Sequence, residues 1–493
     1  MRASGVLLHI TSLPSSEGVG TLGNVDRFIE FLVASGQKYW QILPVTPTDF
    51  VNSPYASPSA FAGNTLLIDL DDLAKSGLIS DETLSDGKTC KGNDYAFAAE
   101  HKETALREAY HNFIKYNPPL DYADFCDSNA YWLDDYALFC ALKKHFGGKS
   151  WSEWDDETVR MRQSAALERY ADMLSDEVDY YVFCQDVCAT QWAKFRDKLA
   201  NNGIKLLGDI PIYVSPDSSD LWTRPELFQT DGQTHLTQVA GCPPDAFAAD
   251  GQLWGNPLYD WPRHKAEDFA WWKRRMQHAT SIYDVVRIDH FRGFESYYAI
   301  PAGNKTAAGG HWEKGPDRAF IDAIHETLGQ GGIIAEDLGY LTPEVKTMLA
   351  ASGYPGMKIM QFAFDSREPG NYLPYTYPHN SVVYTGTHDN VTTEGWRQSA
   401  SPEDVHYACR YLRCLPEDLT EAMICACLAS VSDMAIIPMA DWLHLGAKAR
   451  INTPSTQGAN WQWRLDTPLT SLLAEHIADL TALYDRAPAA ADR

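Results

Sequence analysis

Val285-Val286-Arg287-Ile288-Asp289-His290 is a short β-branched run that ends abruptly in charge. Ile333-Ile334-Ala335-Glu336-Asp337 and Val382-Val383-Tyr384-Thr385-Gly386-Thr387-His388-Asp389-Asn390 share its grammar. A continuous apolar run of this length reads as a buried parallel strand. A carboxylate just past such a strand cannot remain unpaired in the core, so it emerges where loops gather. In a barrel of parallel strands that is the face that carries catalysis. Three carboxylates converging there suggest chemistry on a glycosidic bond.

Working outward, the apolar runs give eight strands: Gly5 to Ile10, Tyr39 to Val45, Lys205 to Val214, Asp284 to Phe291, Gly332 to Leu338, Lys358 to Phe364, Ser381 to His388 and Met434 to Trp442. Helical patterns fall between them, notably Val25 to Ser35 (with Asn24 as its expected N-cap), Tyr180 to Asn201, Phe269 to His278, Pro343 to Ser352 and Leu419 to Ser430. Eight strands with crossovers of the right size predict one α/β domain over 1–493, a (β/α)8 TIM barrel. Between about Asp71 and Asp186 the strand signal vanishes, and charged amphipathic segments such as Ala96 to Tyr116 and Tyr131 to Phe146 predict a mainly helical insertion. The aromatic stretch from about Ser215 to Trp261 reads as a loop or lid. The Ala-rich tail after Arg486 reads as frayed.

Bulk composition narrows the function. The 493 residues carry 41 basic against 66 acidic side chains, a net charge of -25. That balance argues against nucleic acid or an anionic membrane as partner. Fifteen Trp and twenty-five Tyr exceed what a core needs, and sugar rings are commonly held on aromatic faces with a polar rim. No signal-peptide-like run opens the chain and no apolar stretch is long enough to span a bilayer. The ten cysteines form no CxxC pair, so no structural metal site is expected, no cofactor is implied, and a cytoplasmic protein with reduced thiols is the expectation.

The strand order gives the carboxylates distinct roles. A retaining glycosidase needs a carboxylate nucleophile and a carboxylic acid about 5–5.5 Å apart. Asp289 and Glu336 end the fourth and fifth strands, and neighbouring strands lie about 4.8 Å apart. The longer Glu336 suits the acid and the shorter Asp289 the nucleophile. Arg287, two residues earlier, shares the side of the strand with Asp289 and would hold it ionised. Asp389 remains for stabilising positive charge in the transition state, with His388 as a hydroxyl donor. Asp209 in the third strand would bind a sugar hydroxyl or support Arg287. Each residue also has a plain alternative. A lone carboxylate after a strand is usually a cap, Arg287 can pair with a structural acid, His290 and His388 can be satisfied core histidines, and Tyr55 and Trp254 can be packing residues. Asp337, pointing away from Glu336, reads as a loop hydrogen-bonder.

Together the motifs resemble the α-amylase superfamily, and more closely the 4-α-glucanotransferases, the amylomaltases or disproportionating enzymes. The segments that carry the resemblance are SLPSSEGVGTLG, YWQILPVTPT, NSPYASPSAFAGN, GCPPDAFAADGQLWGNPLY and AEDLGYLTPEV, from Gly5-Val6-Leu7-Leu8-His9 to Asn460-Trp461-Gln462-Trp463-Arg464. The resemblance implies Asp289 as nucleophile, Glu336 as general acid/base and Asp389 as transition-state stabiliser. It places Tyr55 beneath the sugar at the cleavage site, with Asp209, Arg287 and His388 completing that subsite. Gly241 to Pro257 resembles a mobile active-site lid on which Trp254 offers an acceptor-side platform. Ile10 and Ala440-Asp441-Trp442 depart from the family pattern away from the catalytic positions.

The implied activity is transfer of α-1,4-glucan segments between maltooligosaccharides or to glucose, by a retaining double displacement. A hydrolase on the same barrel and a catalytically silent glucan-binding protein are the two rivals. Expected partners are α-1,4-glucans and maltooligosaccharides, with the chain a monomer or weak oligomer.

Overall fold

In a computed structural model the eight expected strands close into a parallel barrel, and each strand hydrogen-bonds to the neighbour that follows it in this set. The structure describes residues 2–49, 51–85, 92–115, 120–244, 250–339, 341–365, 372–456 and 458–488. In chain order the strands are β1 (Ala3–Leu7), β2 (Tyr39–Gln41), β3 (Lys205–Ile210), β4 (Gln238–Cys242), β5 (Gln252–Pro257), β6 (Val285–Ile288), β7 (Ser296–Pro301), β8 (His311–Lys314), β9 (Ile333–Ala335), β10 (Gly356–Ile359), β11 (Ser381–Tyr384) and β12 (Met434–Pro438). The barrel runs β1-β12-β11-β10-β9-β6-β3-β2 and then closes.

Alternation along each strand splits the core in two. Leu7, Leu207, Ile334, Met357, Val382, Tyr384 and Ile436 meet inside the barrel. Val6, Trp40, Leu206, Val286, Ile333, Val383 and Ala435 belong to the second cluster, packed under the surrounding helices. Both faces of the strands are therefore largely apolar, which is why the runs show no regular polar alternation in sequence. Gly208 is required by this packing, since a Cβ there would lie 2.2 Å from the Tyr283 ring.

Several expectations change in detail. The barrel strands are shorter than their apolar runs. The expected strand Lys358–Phe364 is instead Gly356–Ile359 followed by a 3-10 turn, Met360–Phe364. Asn24 does not cap the first long helix, Asp26–Ala34; its side chain turns back to accept the Thr21 amide at 2.9 Å. Between Gln41 and Lys205 the described residues form helices and no strand, the longest being Tyr95–Lys115 and Ser175–Asn201. The stretch 215–261 is more ordered than a loop. It supplies β4 and β5, which join β7 and β8 in a four-stranded antiparallel sheet ordered β5-β4-β7-β8. Residues 245–249, inside the expected lid, and the end of the tail, 489–493, lie outside the described residues.

Candidate active site

Register places the charged residues at the C-terminal ends of the strands. Asp209 on β3 is paired with Arg287 on β6, and Arg287 with Ile334 on β9. The pairing continues one step further, because the Asp289 amide donates to Ile210 O and the Glu336 amide to Ile288 O. Asp289 and Glu336 therefore leave adjacent strands at the same level, both on the side that faces the barrel axis.

Arg287 is the hub of this layer. It is buried, and its guanidinium donates from Nη1 to both Asp209 oxygens at 2.8 and 2.6 Å and from Nη2 to Asp289 Oδ1 at 2.9 Å. Nε faces Met357 Sδ at 3.3 Å. A buried charge persists only when its partners saturate it, and this fork reaches two carboxylates at once. The Tyr55 hydroxyl donates to Asp209 Oδ2 at 2.7 Å. Burial raises the Asp209 pKa, while Arg287 and the Tyr55 hydroxyl oppose that rise. Burial also pushes the Tyr55 phenol well above its usual value, so it remains a donor.

Glu336 has a different environment. Its two oxygens accept the amides of His290 and Leu338, each at 2.7 Å. Burial and then the charge of Asp289 raise its pKa to about 7, against the opposing pull of Arg287 and the two amides. One carboxyl is thus poised to hold a proton near neutrality beside another that is clamped to a guanidinium. Two carboxyls in such unlike surroundings are what a site needs to hold both an acid and a nucleophile. His290, which supplies one amide, sits at φ 51° in the left-handed region and has its own pKa lowered to about 4 by burial.

Asp389 lies on the turn after β11. Asn390 Oδ1 accepts from the Thr387 amide and hydroxyl at 2.8 and 2.9 Å, which closes the turn. Asn452 donates to Asp389 Oδ1 at 2.6 Å, Arg450 donates to the Asp389 carbonyl at 2.5 Å, and His388 Nε2 lies 3.3 Å from Oδ1. Tyr55 stacks on His388 with centroids 5.2 Å apart, and Trp461 leans on both. Trp254, 36% exposed on β5, stands edge-on to His290 at 4.9 Å. Tyr55, Asp209, Arg287, Asp289, His388 and Asp389 therefore form one connected set, with Glu336 and Trp254 joined to it through His290. Asp337 points the other way, accepting the Met357 amide at 2.6 Å and facing Lys358 at 3.5 Å.

Asn452 and Arg450 were not singled out in the sequence. They lie in an irregular stretch after β12, where no periodicity marks them; only their contacts do. The described residues contain no group of three or more His, Cys, Asp or Glu placed to hold a metal ion. A cavity of about 470 Å³ lies behind Tyr55 and Asp209, walled by Phe61, Trp132 and Trp192. Asp209 and Tyr55 form its boundary with the carboxylate cluster, while Asp289, Glu336 and Asp389 do not line it.

A parallel eight-stranded barrel with a split pair of carboxyls at its strand ends defines an enzyme of the glycoside-hydrolase type. Residues 8–470 match the glycoside hydrolase 77 family model, described as 4-alpha-glucanotransferase. The chain is 44% identical over 492 residues to the 4-alpha-glucanotransferase of Streptococcus pneumoniae, covering 98% of this chain and 97% of that protein. It is 42% identical over 498 residues to that of Thermus thermophilus, covering 98% of each. An amylomaltase from Streptococcus agalactiae, solved in complex with acarbose, superposes with a TM-score of 0.95 at 41% identity over 99% of this chain and 100% of that one. The chain belongs to the 4-alpha-glucanotransferase family. These matches favour transfer over the hydrolytic alternative. No helix among the described residues is long and apolar enough to cross a membrane.

Proposed function

We propose that the protein moves α-1,4-glucan segments between maltooligosaccharides, or to glucose, by a retaining double displacement in which Asp289 is the nucleophile, Glu336 the acid/base and Asp389 the stabiliser. The observation that carries this reading is the contrast between Glu336, raised to about 7, and Asp289, bonded to Arg287. Glu336 gives its proton to the glycosidic oxygen as that bond breaks, while an Asp289 oxygen bonds to the anomeric carbon. Glu336, now a carboxylate, takes the proton from the 4-hydroxyl of an incoming glucan. That oxygen displaces Asp289, so two inversions leave the α configuration unchanged. Asp389, fixed by Asn452, stabilises the positive charge on the sugar ring. The Tyr55–His388 stack supports the ring at the cleavage site, with Asp209 and Arg287 behind it. Trp254 takes the first acceptor sugar and limits the access of water to the glycosyl-enzyme.

Nine of the ten cysteines fall among the described residues and all nine are free thiols, which supports a reducing compartment, so we place the enzyme in the cytoplasm, acting as a monomer or weak oligomer. Incubation with maltotriose tests the reaction. Transfer yields glucose plus longer oligomers with a constant number of reducing ends. Rising reducing ends, with glucose and maltose alone as products, would sink the proposal.

A further inference from the structure

Beside the carboxylate cluster, the segment His290–Arg292 backs two exposed indoles. Trp254 rests on His290, as described. Two residues on, the Arg292 guanidinium lies over the ring of Trp312, 4.3 Å from its centroid. Trp312 is on β8, the edge strand of the small sheet, and is 45% exposed. Its neighbour across the register is Tyr298, whose ring meets it edge-on at 5.4 Å. Gly310 lets Tyr298 pack that closely, because a Cβ there would lie 2.4 Å from the Tyr298 ring. Arg292 is itself buried and donates to Ser296 Oγ at 3.3 Å. One face of Trp312 is thus braced by a buried cation and its flank by a buried tyrosine, while the remaining face is left to solvent.

An indole held on one side and open on the other offers its free face to a flat ligand ring. A guanidinium behind the ring also fixes the indole's orientation. The position decides the ligand. His290 gives its amide to Glu336, the group that protonates the departing oxygen, and Arg292, which braces Trp312, also feels the charge of Glu336, so this segment borders the acid/base side of the cluster. Lys314, on the same face of β8, is 73% exposed and supplies a polar rim. We propose that Trp312 is a distal acceptor-side platform, stacking a glucose unit of an α-1,4-glucan beyond the unit taken by Trp254. This rests on the transferase reading above and adds the length dependence of the acceptor.

The test compares Trp312→Ala with the unmutated enzyme, using amylose as donor and reducing-end-labelled glucose or maltohexaose as acceptor. The KM for maltohexaose should rise about 5- to 10-fold, the amount one stacked ring supplies, while that for glucose stays within about twofold. Trp312→Phe should recover most of the loss. Equal effects on both acceptors, no effect on maltohexaose, or a phenylalanine variant as weak as alanine would each overturn the assignment. Disproportionation of maltotriose is measured alongside. If the unmutated enzyme only hydrolyses it, the transferase reading fails; if it disproportionates it and only the acceptor-length effect is absent, the Trp312 platform alone fails.

Discussion

The two halves of the candidate site are built on different principles. The cleavage half stands on barrel strands: Asp209 and Arg287 are 0% and 3% exposed, paired in register and bonded through a guanidinium fork. The acceptor half stands on a peripheral sheet and a turn, with Trp254 at 36% and Trp312 at 45% exposure. Charges that must hold their protonation state and aim sit where the backbone is fixed and water is scarce. Surfaces that must admit and release a polymer sit where they can be wetted. On the proposed roles, the contrast predicts that bond breaking and the choice between sugar and water as acceptor are separable by substitution.

The largest break in that comparison is expected from Asp289→Asn, which removes the proposed nucleophile and leaves the acceptor half intact. Glucose release from maltotriose should fall by at least about 10⁴-fold. A variant that still disproportionates at the original rate would show that Asp289 is not the nucleophile.

Glu336→Gln should cost about 10²- to 10⁴-fold. It should also abolish the alkaline limb of the pH profile. Because the first step needs the protonated carboxyl, activity of the unmutated enzyme falls as pH rises through about 7. The same shift makes a stability prediction. The folded pKa is raised from 4.5, so its stabilising contribution is full below 4.5 and lost as pH rises through about 7, roughly 3 kcal/mol in all. Relative to the unmutated protein, Glu336→Gln should therefore gain more thermal stability at pH 8 than at pH 4.5. A gain independent of pH would contradict the raised carboxyl.

Arg287→Lys retains the charge and loses the fork. We expect turnover to fall about 10²-fold through misplacement of Asp289, with about 1.5–3 kcal/mol less unfolding free energy in denaturant titrations, as when a charge-assisted hydrogen bond to a buried carboxylate is lost. Normal stability with normal turnover would remove Arg287 as the hub. The smallest effect on total turnover, within about tenfold, belongs to Trp254→Ala, whose signature is partition instead. Losing the platform should shift products from transfer toward hydrolysis, read as reducing ends formed per glucose released. An unchanged ratio would mean that the exposed half does not govern water.

The part of the fold that was legible came from the two-faced burial of the barrel strands. Val286 and Ile288, and Val382, Val383 and Tyr384, are apolar because the barrel interior covers one face and the helices the other; Arg287 interrupts the first run only because the carboxylates of Asp209 and Asp289 pair with it. Strand ends were less legible: Met360–Phe364 is as apolar as Gly356–Ile359, and hydrophobicity alone does not distinguish a strand from a buried 3-10 turn. The small sheet was missed for a related reason. Gln238–Cys242 and Gln252–Pro257 are short, contain three glycines or prolines, and become strands only through non-local pairing, the first with Ser296–Pro301 and the second with the first. Asn452 and Arg450 reach Asp389 from 63 and 61 residues away in sequence, and neither carries any local signature of that contact.

The sequence by itself determined the class of chemistry. Carboxylates placed directly after buried parallel strands have only the loop face to go to, and the order of the strands made Asp289 and Glu336 neighbours. Only the tertiary structure decided how the two carboxyls differ. Burial and the charge of Asp289 lift Glu336, while a guanidinium shared with Asp209 clamps Asp289. Those are effects of distance and desolvation between residues far apart in the chain, and a linear sequence does not encode them locally.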